Sequence, residues 1–512
     1  MSRDLDTSDR LVRHLRQLAV VIGVGLLTGT LSAQDPAFLL ENTLIKVIEQ
    51  SEPAVVAIAK VRGAPETIGF SVKPFALPQQ ESRPNDPEHP DFQPNNYGTG
   101  VIVAGTRPTE RLVLTNFHVV RGGPIHTSTP EDVTNETQLF VRFADRRICQ
   151  ASIVAADPRC DLAVLHLNLE EVKIEPAELK TLDWATAPPA RKGQLVVLLG
   201  NPYALAHDGS ASASWGMVSN LARRPLPWSE ELPARTMMYR LGNLIQIDGR
   251  LNLGTSGGPL LNLKGELVGL TTSLAAIEGY EKSAGFAIPF DDLTRRVVRT
   301  LIAGHEVEYG MLGISPSTVL PSTFRAMNTG YKQASAVQAA TVAPNSPASR
   351  AGILPDDIIV SVSGMPTYSD SDLMRIVGLH PPEDEVEIVG WRTRLNRPFT
   401  TKVVLGKWPA FDDEGIIETI PRFAPWRGIT VDYPTGRRTF HRNDDPYRRA
   451  VVVTKVAPDS AAQSAGIQPG VFIAEVNRIS VATPSEFAEA TRQLRGPVEL
   501  RILDGGKITL RE

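Results

Sequence analysis

The stretch Leu253-Gly254-Thr255-Ser256-Gly257-Gly258-Pro259-Leu260 sets a serine among glycines, directly ahead of an apolar run. Glycine reaches backbone angles that other residues resist, so such a stretch turns tightly and can hold its serine out from the chain. Successive N–H groups in a turn of this kind can converge on one concavity and hold a negative charge. Taken alone, a glycine-rich serine turn reads equally well as plain turn chemistry. What decides between the two lies upstream.

Residues 157–164 read Asp-Pro-Arg-Cys-Asp-Leu-Ala-Val and place Asp161 where a turn enters an apolar strand. Residues 113–120 read Val-Leu-Thr-Asn-Phe-His-Val-Val and place His118 just after another strand. A buried core histidine and a turn-capping aspartate are the plainer readings of those two residues. Together with Ser256, however, they stand in the order His, Asp, Ser. That is the chain order of the chymotrypsin-like double barrel, whereas other hydrolase folds use other orders. In that chemistry Ser256 attacks a carbonyl, His118 takes its proton, and Asp161 fixes the imidazole tautomer. Gly254, Thr255 and Ser256 are the candidates whose N–H groups meet the oxyanion.

The surroundings agree with a mainly β chain. A strand is expected at 55–61, and short strands at 101–104, 112–114, 138–143, 150–155, 162–167, 195–199 and 266–270, with few helix-period runs between them. Many short strands with polar turns argue a barrel or sandwich. Apolar residues at helical spacing predict helices over 36–50 and 291–303, the second closing the domain. Residues 72–96 hold six prolines and read as a long loop.

Beyond residue 308 the sequence repeats itself. Val342-Ala343-Pro344, Ser346 and Ala351-Gly352-Ile353 recur as Val456-Ala457-Pro458, Ser460 and Ala465-Gly466-Ile467, all at an offset of 114. Leu312-Gly313-Ile314 recurs as Arg427-Gly428-Ile429 at 115. One offset shared by separate motifs means two copies of one module. Residues 432–449 are charged and poor in apolar groups, and read as an enlarged surface loop of the second copy.

Composition bounds the remaining possibilities. The 512 residues suggest three or four domains. A formal charge of −4 gives no broad positive field for nucleic acid, so no nucleic-acid partner is expected. No compact group of metal-ligating residues stands out, and neither metal nor cofactor is expected. Residues 3–16 carry arginines, residues 18–31 are almost wholly apolar, and Ser32 and Ala33 follow, which is the pattern of an export signal. The apolar run is short of the roughly 20 residues of a membrane span. Membrane contact is expected only through this segment, and only if it stays uncleaved. Export would permit a disulfide between the two cysteines, Cys149 and Cys160, on either side of an expected hairpin turn. A buried, unbonded Cys149 is the equal alternative.

The motifs T115–V120 (TNFHVV), D157–L165 (DPRCDLAVL), G254–L270 (GTSGGPLLNLKGELVGL) and S283–P289 (SAGFAIP) resemble, in order, those of the HtrA/DegP family of trypsin-like serine proteases with C-terminal PDZ domains. The resemblance covers nearly everything after the leader. It implies a chymotrypsin-like double β-barrel followed by two PDZ-like α+β domains. The expected divisions are a signal or anchor at 1–33, a protease domain at 34–304, and PDZ-like domains at 308–408 and 417–512. It implies the triad His118, Asp161 and Ser256, and an exported, ATP-independent endopeptidase acting on unfolded or damaged proteins. It also implies a homo-oligomer, a trimer or a multiple of one.

Carried over by motif, Thr271, Thr272, Ser273 and Leu274 resemble the edge that pairs with substrate backbone. Arg250 stands at the level of the specificity pocket, where it either points to solvent or enters the pocket. Met311, Leu312, Gly313 and Ile314 resemble a peptide-carboxylate loop, and Arg427, Gly428 and Ile429 resemble its second copy. The groove helices fall at 370–377 and 484–494, with the enlarged loop able to obstruct the second groove. Thr255 departs from the aspartate that chymotrypsin-type zymogens use to grip a new N-terminus, so activation by propeptide cleavage is not expected. The rival reading from another class is a chaperone or peptide-binding scaffold with an inert barrel.

Overall fold

The structure is a computed structural model that describes residues 35–62, 87, 92, 94, 96–121, 137–201, 209–223, 243–249, 251–252, 254–272, 285–410, 415–441, 445–503 and 505–511. The expected leader and most of the proline-rich stretch 72–96 lie outside the described residues.

A helix at Pro36–Ser51 opens the described chain. Asp35 caps it by accepting from the Ala37 N–H, and Pro36 suits its first turn. Six strands follow: β1 (Val55–Arg62), β2 (Asn96–Ala104), β3 (Arg111–Thr115), β4 (Thr137–Arg142), β5 (Ile148–Asp157) and β6 (Leu162–Leu167). They pair in the order β4-β1-β2-β3-β6-β5, and β5 also pairs with β4, so the sheet closes on itself. A second closed barrel comprises β7 (Leu195–Gly200), β8 (Ser212–Arg223), β9 (Leu244–Ile247), β10 (Pro259–Asn262), β11 (Leu267–Thr272) and β12 (Gly285–Pro289).

Strands at the junction of the barrels are apolar on both faces, and the packing explains why. In β3, Val113 points into the first barrel's core while Leu112 and Leu114 enter a core shared with the second barrel. In β7, Val196 and Leu198 fill the second barrel while Val197 and Leu199 join the shared core. Successive strand residues face opposite sides, so a strand sandwiched between two cores needs both sets apolar. The helix Asp292–Ile302, capped by Asp291, lays Leu293, Val297, Val298 and Leu301 onto the same shared core.

The repeat is two modules of one topology. The first orders its sheet Ile314–Val319, Ala336–Val342, Asp357–Val362, Glu385–Arg392, Arg397–Val404; the second orders Ile429–Asp432, Val451–Val456, Phe472–Val476, Val498–Ile502, Lys507–Leu510. The repeated residues are helix punctuation. Ser346 and Ser460 each cap a one-turn helix by accepting from the N–H three residues on, Ser349 and Gln463. Gly352 and Gly466 leave those turns at φ +77° and +76°, where glycine carries no steric penalty. Buried Ile353 and Ile467 then enter the module cores. The groove helices run Asp370–Gly378 and Pro484–Thr491.

Three expectations need correcting. The cysteines do not bond: both are free. Cys149 lies near the start of β5, and Cys160 comes after its far end, so they do not flank a hairpin turn. An extended strand carries the chain roughly 25 Å over that length, against the ~7 Å between Cα atoms that a disulfide spans. Cys149 packs in the first barrel's core, where burial pushes its thiol up to about 12. Second, residues 417–418 belong to the barrel rather than to a second module. Ile417 and Glu418 pair with Ala156 and Ala155 and extend β5's sheet by a seventh strand. Third, residues 432–449 are not a purely solvated loop. Asp432 lies buried against Lys407 at 3.0 Å, and Lys407 also meets Glu306 at 3.3 Å and Glu308 at 3.1 Å. Arg437 reaches Glu306 at 2.5 Å. Charges from the barrel exit, the first module and the second module thus neutralise one another out of water.

Candidate active site

His118 sits on a one-turn helix, Phe117–Arg121, directly after β3. Asn96 on β2 holds that helix, donating through Nδ2 to the carbonyls of His118 at 3.1 Å and Val119 at 3.0 Å. Asp161 ends the turn between β5 and β6 at φ +56°, a left-handed angle that aspartate tolerates better than most residues. Its backbone carbonyl accepts from the Phe117 N–H at 3.1 Å and from Asn116 Nδ2 at 3.0 Å, binding the aspartate turn to the histidine helix.

The side chains then meet. His118 Nδ1 lies 3.0 and 2.9 Å from the two Asp161 carboxylate oxygens, and the His118 backbone N–H donates to Oδ1 at 3.0 Å. A carboxylate only accepts, so Nδ1 carries the proton and Nε2 is left as an acceptor. Asp161 is fully buried, and its Oδ2 also accepts from Thr272 Oγ1 at 3.3 Å.

Ser256 is held by both barrels. Its carbonyl accepts from the Thr99 N–H of β2 at 2.8 Å, and the Gly257 N–H donates to the Thr271 carbonyl of β11 at 2.8 Å. Thr99 Oγ1 donates to the Gly254 carbonyl at 2.7 Å and accepts from the Asn201 N–H at 2.9 Å. A Cβ built on Gly98 would lie 2.5 Å from Val119 and 3.2 Å from the Ser256 carbonyl, so the histidine helix and the serine turn close on the same residue.

The Thr255 N–H donates to the Asn252 carbonyl at 3.2 Å, and Gly254 stands at φ +93°. Thr255 Oγ1 donates to the same carbonyl at 2.7 Å, so this threonine closes its turn locally where a zymogen's aspartate would need an incoming amine. Thr255 therefore drops from the oxyanion candidates: its N–H is already spent. The Gly254 N–H has no acceptor among the described residues.

The remaining candidates divide. Thr271 and Thr272 are fully buried and brace the site instead of presenting an edge. Thr271 Oγ1 donates to the Thr255 carbonyl at 2.6 Å. Arg250, Ser273 and Leu274 lie outside the described residues. The first carboxylate loop, Met311–Ile314, lines a cavity of about 520 Å³ with Leu373, Met374 and Val377 of the groove helix. The second differs. Arg427 at φ +50° and Gly428 at φ +88° make a tight turn, in which Trp426 and Ile429 exchange N–H···O bonds of 2.9 Å. The Ile429 N–H is thereby occupied. Arg427 is also tied down, donating to the carbonyls of Leu510 at 3.0 Å and Gly496 at 2.7 Å. Among the described residues, no group of His, Cys, Asp and Glu is placed to hold a metal ion.

Sequence reasoning missed Thr99, Asn96 and Asn116, polar residues whose partners lie on other strands. It also missed the base beneath Asp161. There Asp157 pairs with buried Arg159 at 2.9 Å and accepts from Tyr309 Oη at 3.0 Å. Tyr309 Oη also touches the Cys160 thiol.

A trypsin-like peptidase domain model matches residues 98–270, and a PDZ domain model matches residues 338–392. This is a serine endopeptidase. Among curated proteins it is similar to a probable periplasmic serine endoprotease, DegP-like, of Pseudomonas fluorescens (26% identity over 97% of each chain). It is also similar to one of Ectopseudomonas mendocina (29% identity over 97% of this chain and 98% of the relative). Among solved structures it is similar to an HtrA-type protease, AlgW with decapeptide, at 23% identity and a TM-score of 0.48, over 72% of this chain and 99% of that one. The peptidase is an exported, extracytoplasmic protein, as its periplasmic relatives are. The second module matches the first in strand order.

Proposed function

We propose that this peptidase hydrolyses peptide bonds of unfolded or damaged proteins through Ser256, His118 and Asp161, without a nucleotide or metal. The observation that carries this reading is the His118 Nδ1–Asp161 contact of 2.9–3.0 Å beside a serine turn braced from both barrels. Asp161 holds the imidazole with Nε2 free to accept the Ser256 proton as Oγ attacks the substrate carbonyl. The N–H groups of Gly254 and Ser256 receive the oxyanion. His118 then returns the proton to the leaving amine, and water repeats the cycle on the acyl-enzyme. Losing one oxyanion donor typically costs about 3 kcal/mol in the barrier.

A peptide read in extended form by a strand edge must be locally unfolded, which favours non-native proteins as substrates. The first module supplies a peptide groove. The second, built on the same strand order, binds peptides or regulates activity. The enzyme acts as a homo-oligomer, a trimer or a multiple of one. Incubation with reduced, unfolded casein and with a folded control tests the reading: casein is expected to be cut and the control spared, with Ser256→Ala silent on both. Equal cutting by the Ser256→Ala protein would overturn it.

A further inference from the structure

The enlarged loop of the second module borders its own groove, where Arg437, Thr439 and Phe440 line a cavity with Phe487 and Thr491. It also reaches the first module's carboxylate loop. A Cβ built on Gly313 would lie 2.8 Å from Tyr447 Oη, and Tyr447 lines the same cavity as Leu312, Gly313 and Ile314. Tyr447 stands on a firm base. Its N–H donates to Asp445 Oδ1 at 3.3 Å, and its neighbour Arg448 is buried, donating to the Asp445 carbonyl at 2.9 Å and stacking on Phe472 at 4.7 Å.

Asp370 lines the cavity at the groove helix, and unmet donors gather at the carboxylate loop. Neither the Leu312 nor the Gly313 N–H has an acceptor among the described residues, and the Tyr447 O–H has none either. Burial holds the Tyr447 phenol above its ordinary value, so it stays protonated. Arg350 and Arg449 add positive charge, and among the described residues neither pairs with a carboxylate. Burial, then the like charge of Arg449, keep the Arg350 guanidinium below its ordinary value. Three unmet donors with Arg350 close to Tyr447, beside apolar walls of Leu312, Leu373 and Val377, match an anion attached to an apolar side chain.

We propose that the first module's peptide site is composite: the Tyr447 O–H, delivered by the second module, joins the Leu312 and Gly313 N–H groups as a donor to the terminal carboxylate of a peptide with an apolar last residue. The site is then complete only while the two modules are docked. This rests on reading the first module as a peptide groove, and the test separates the two.

Fluorescein-labelled peptides ending in valine, as the free acid and as the amide, are titrated by anisotropy into the full chain carrying Ser256→Ala, which prevents cleavage. The acid is expected to bind in preference to the amide, and Tyr447→Phe, which keeps the ring, is expected to weaken the acid about tenfold and leave the amide unchanged. Unchanged binding of the acid by Tyr447→Phe, or tighter binding by Tyr447→Ala, would overturn the composite site and make Tyr447 a steric cap, the groove reading surviving. Binding of neither peptide to any variant would overturn the groove reading and the composite site with it.

Discussion

Thr272, at the end of a second-barrel strand, donates its hydroxyl to Asp161, on a first-barrel turn, across 3.3 Å. The bond spans the cleft and gives the buried carboxylate a third donor beside the two from His118. Replacing it by valine keeps the shape and removes the donor. A hydrogen bond to a charged group is worth roughly 1.5–3 kcal/mol. Thr272→Val is therefore expected to lower kcat/KM roughly tenfold or more, with Thr272→Ser close to wild type. Peptide hydrolysis by the three proteins checks it.

Gly257 follows the serine at φ +86°, and a Cβ there would lie 2.0 Å from the Thr99 carbonyl. That carbonyl is backbone and accepts from Thr115 Oγ1 at 2.7 Å, so it cannot yield cheaply. Gly257→Ala is expected to displace the serine turn, abolish hydrolysis and lower stability by about 2 kcal/mol or more. Circular dichroism melts beside activity assays read both effects.

Arg159 is 1% exposed, pairs with Asp157, and donates to the Val307 carbonyl at 2.5 Å. It fastens the aspartate turn to the chain leaving the barrel. Removing one partner of a buried pair strands the other's charge, at about 3–5 kcal/mol. Arg159→Met is expected to destabilise the peptidase domain by that order, and adding Asp157→Asn should recover part of it. Urea unfolding of the single and double variants decides.

Glu418 accepts from the Glu306 N–H at 3.3 Å on the added seventh strand. Burial raises its carboxyl above the usual range, and the neighbouring Glu306 pushes the same way. The folded chain then holds this proton at a pH where the unfolded chain has released it. Its ionised form costs stability at neutral pH, and the cost disappears as pH falls through the raised value. Glu418→Gln keeps an acceptor for Glu306 and is expected to raise the melting temperature at pH 7, the gap from wild type closing in acid. A drop at pH 7 would mean that attraction to Lys407 and Arg437 outweighs the burial cost.

The sequence discloses this molecule where chemistry ties residue types to short spacings. Gly254 through Gly258, His118 and Asp161 are legible because a serine turn and a proton relay tolerate few alternatives. The repeat is legible because Ser346 and Gly352 start and stop a helix, and their copies do the same 114 residues on. What stays hidden depends on register between distant elements. Thr272 reads as an outward strand edge until the second barrel's closure turns it toward Asp161. Residues 432–449 look solvated because their charges find partners only on Glu306 and Lys407. Nothing local to Tyr447 reveals that it meets Gly313, and nothing local to Cys149 reveals how far β5 carries the chain before Cys160.

The central claim is that Ser256 is a nucleophile activated by His118. Labelling of the purified protein with a fluorophosphonate, read by intact mass, tests it most directly. One adduct per chain is expected, mapping to Ser256, absent in Ser256→Ala and slowed by several orders of magnitude in His118→Ala. A folded wild-type protein that takes no label and cuts no casein, yet still suppresses aggregation of unfolded protein, would contradict the account and leave the barrel a scaffold.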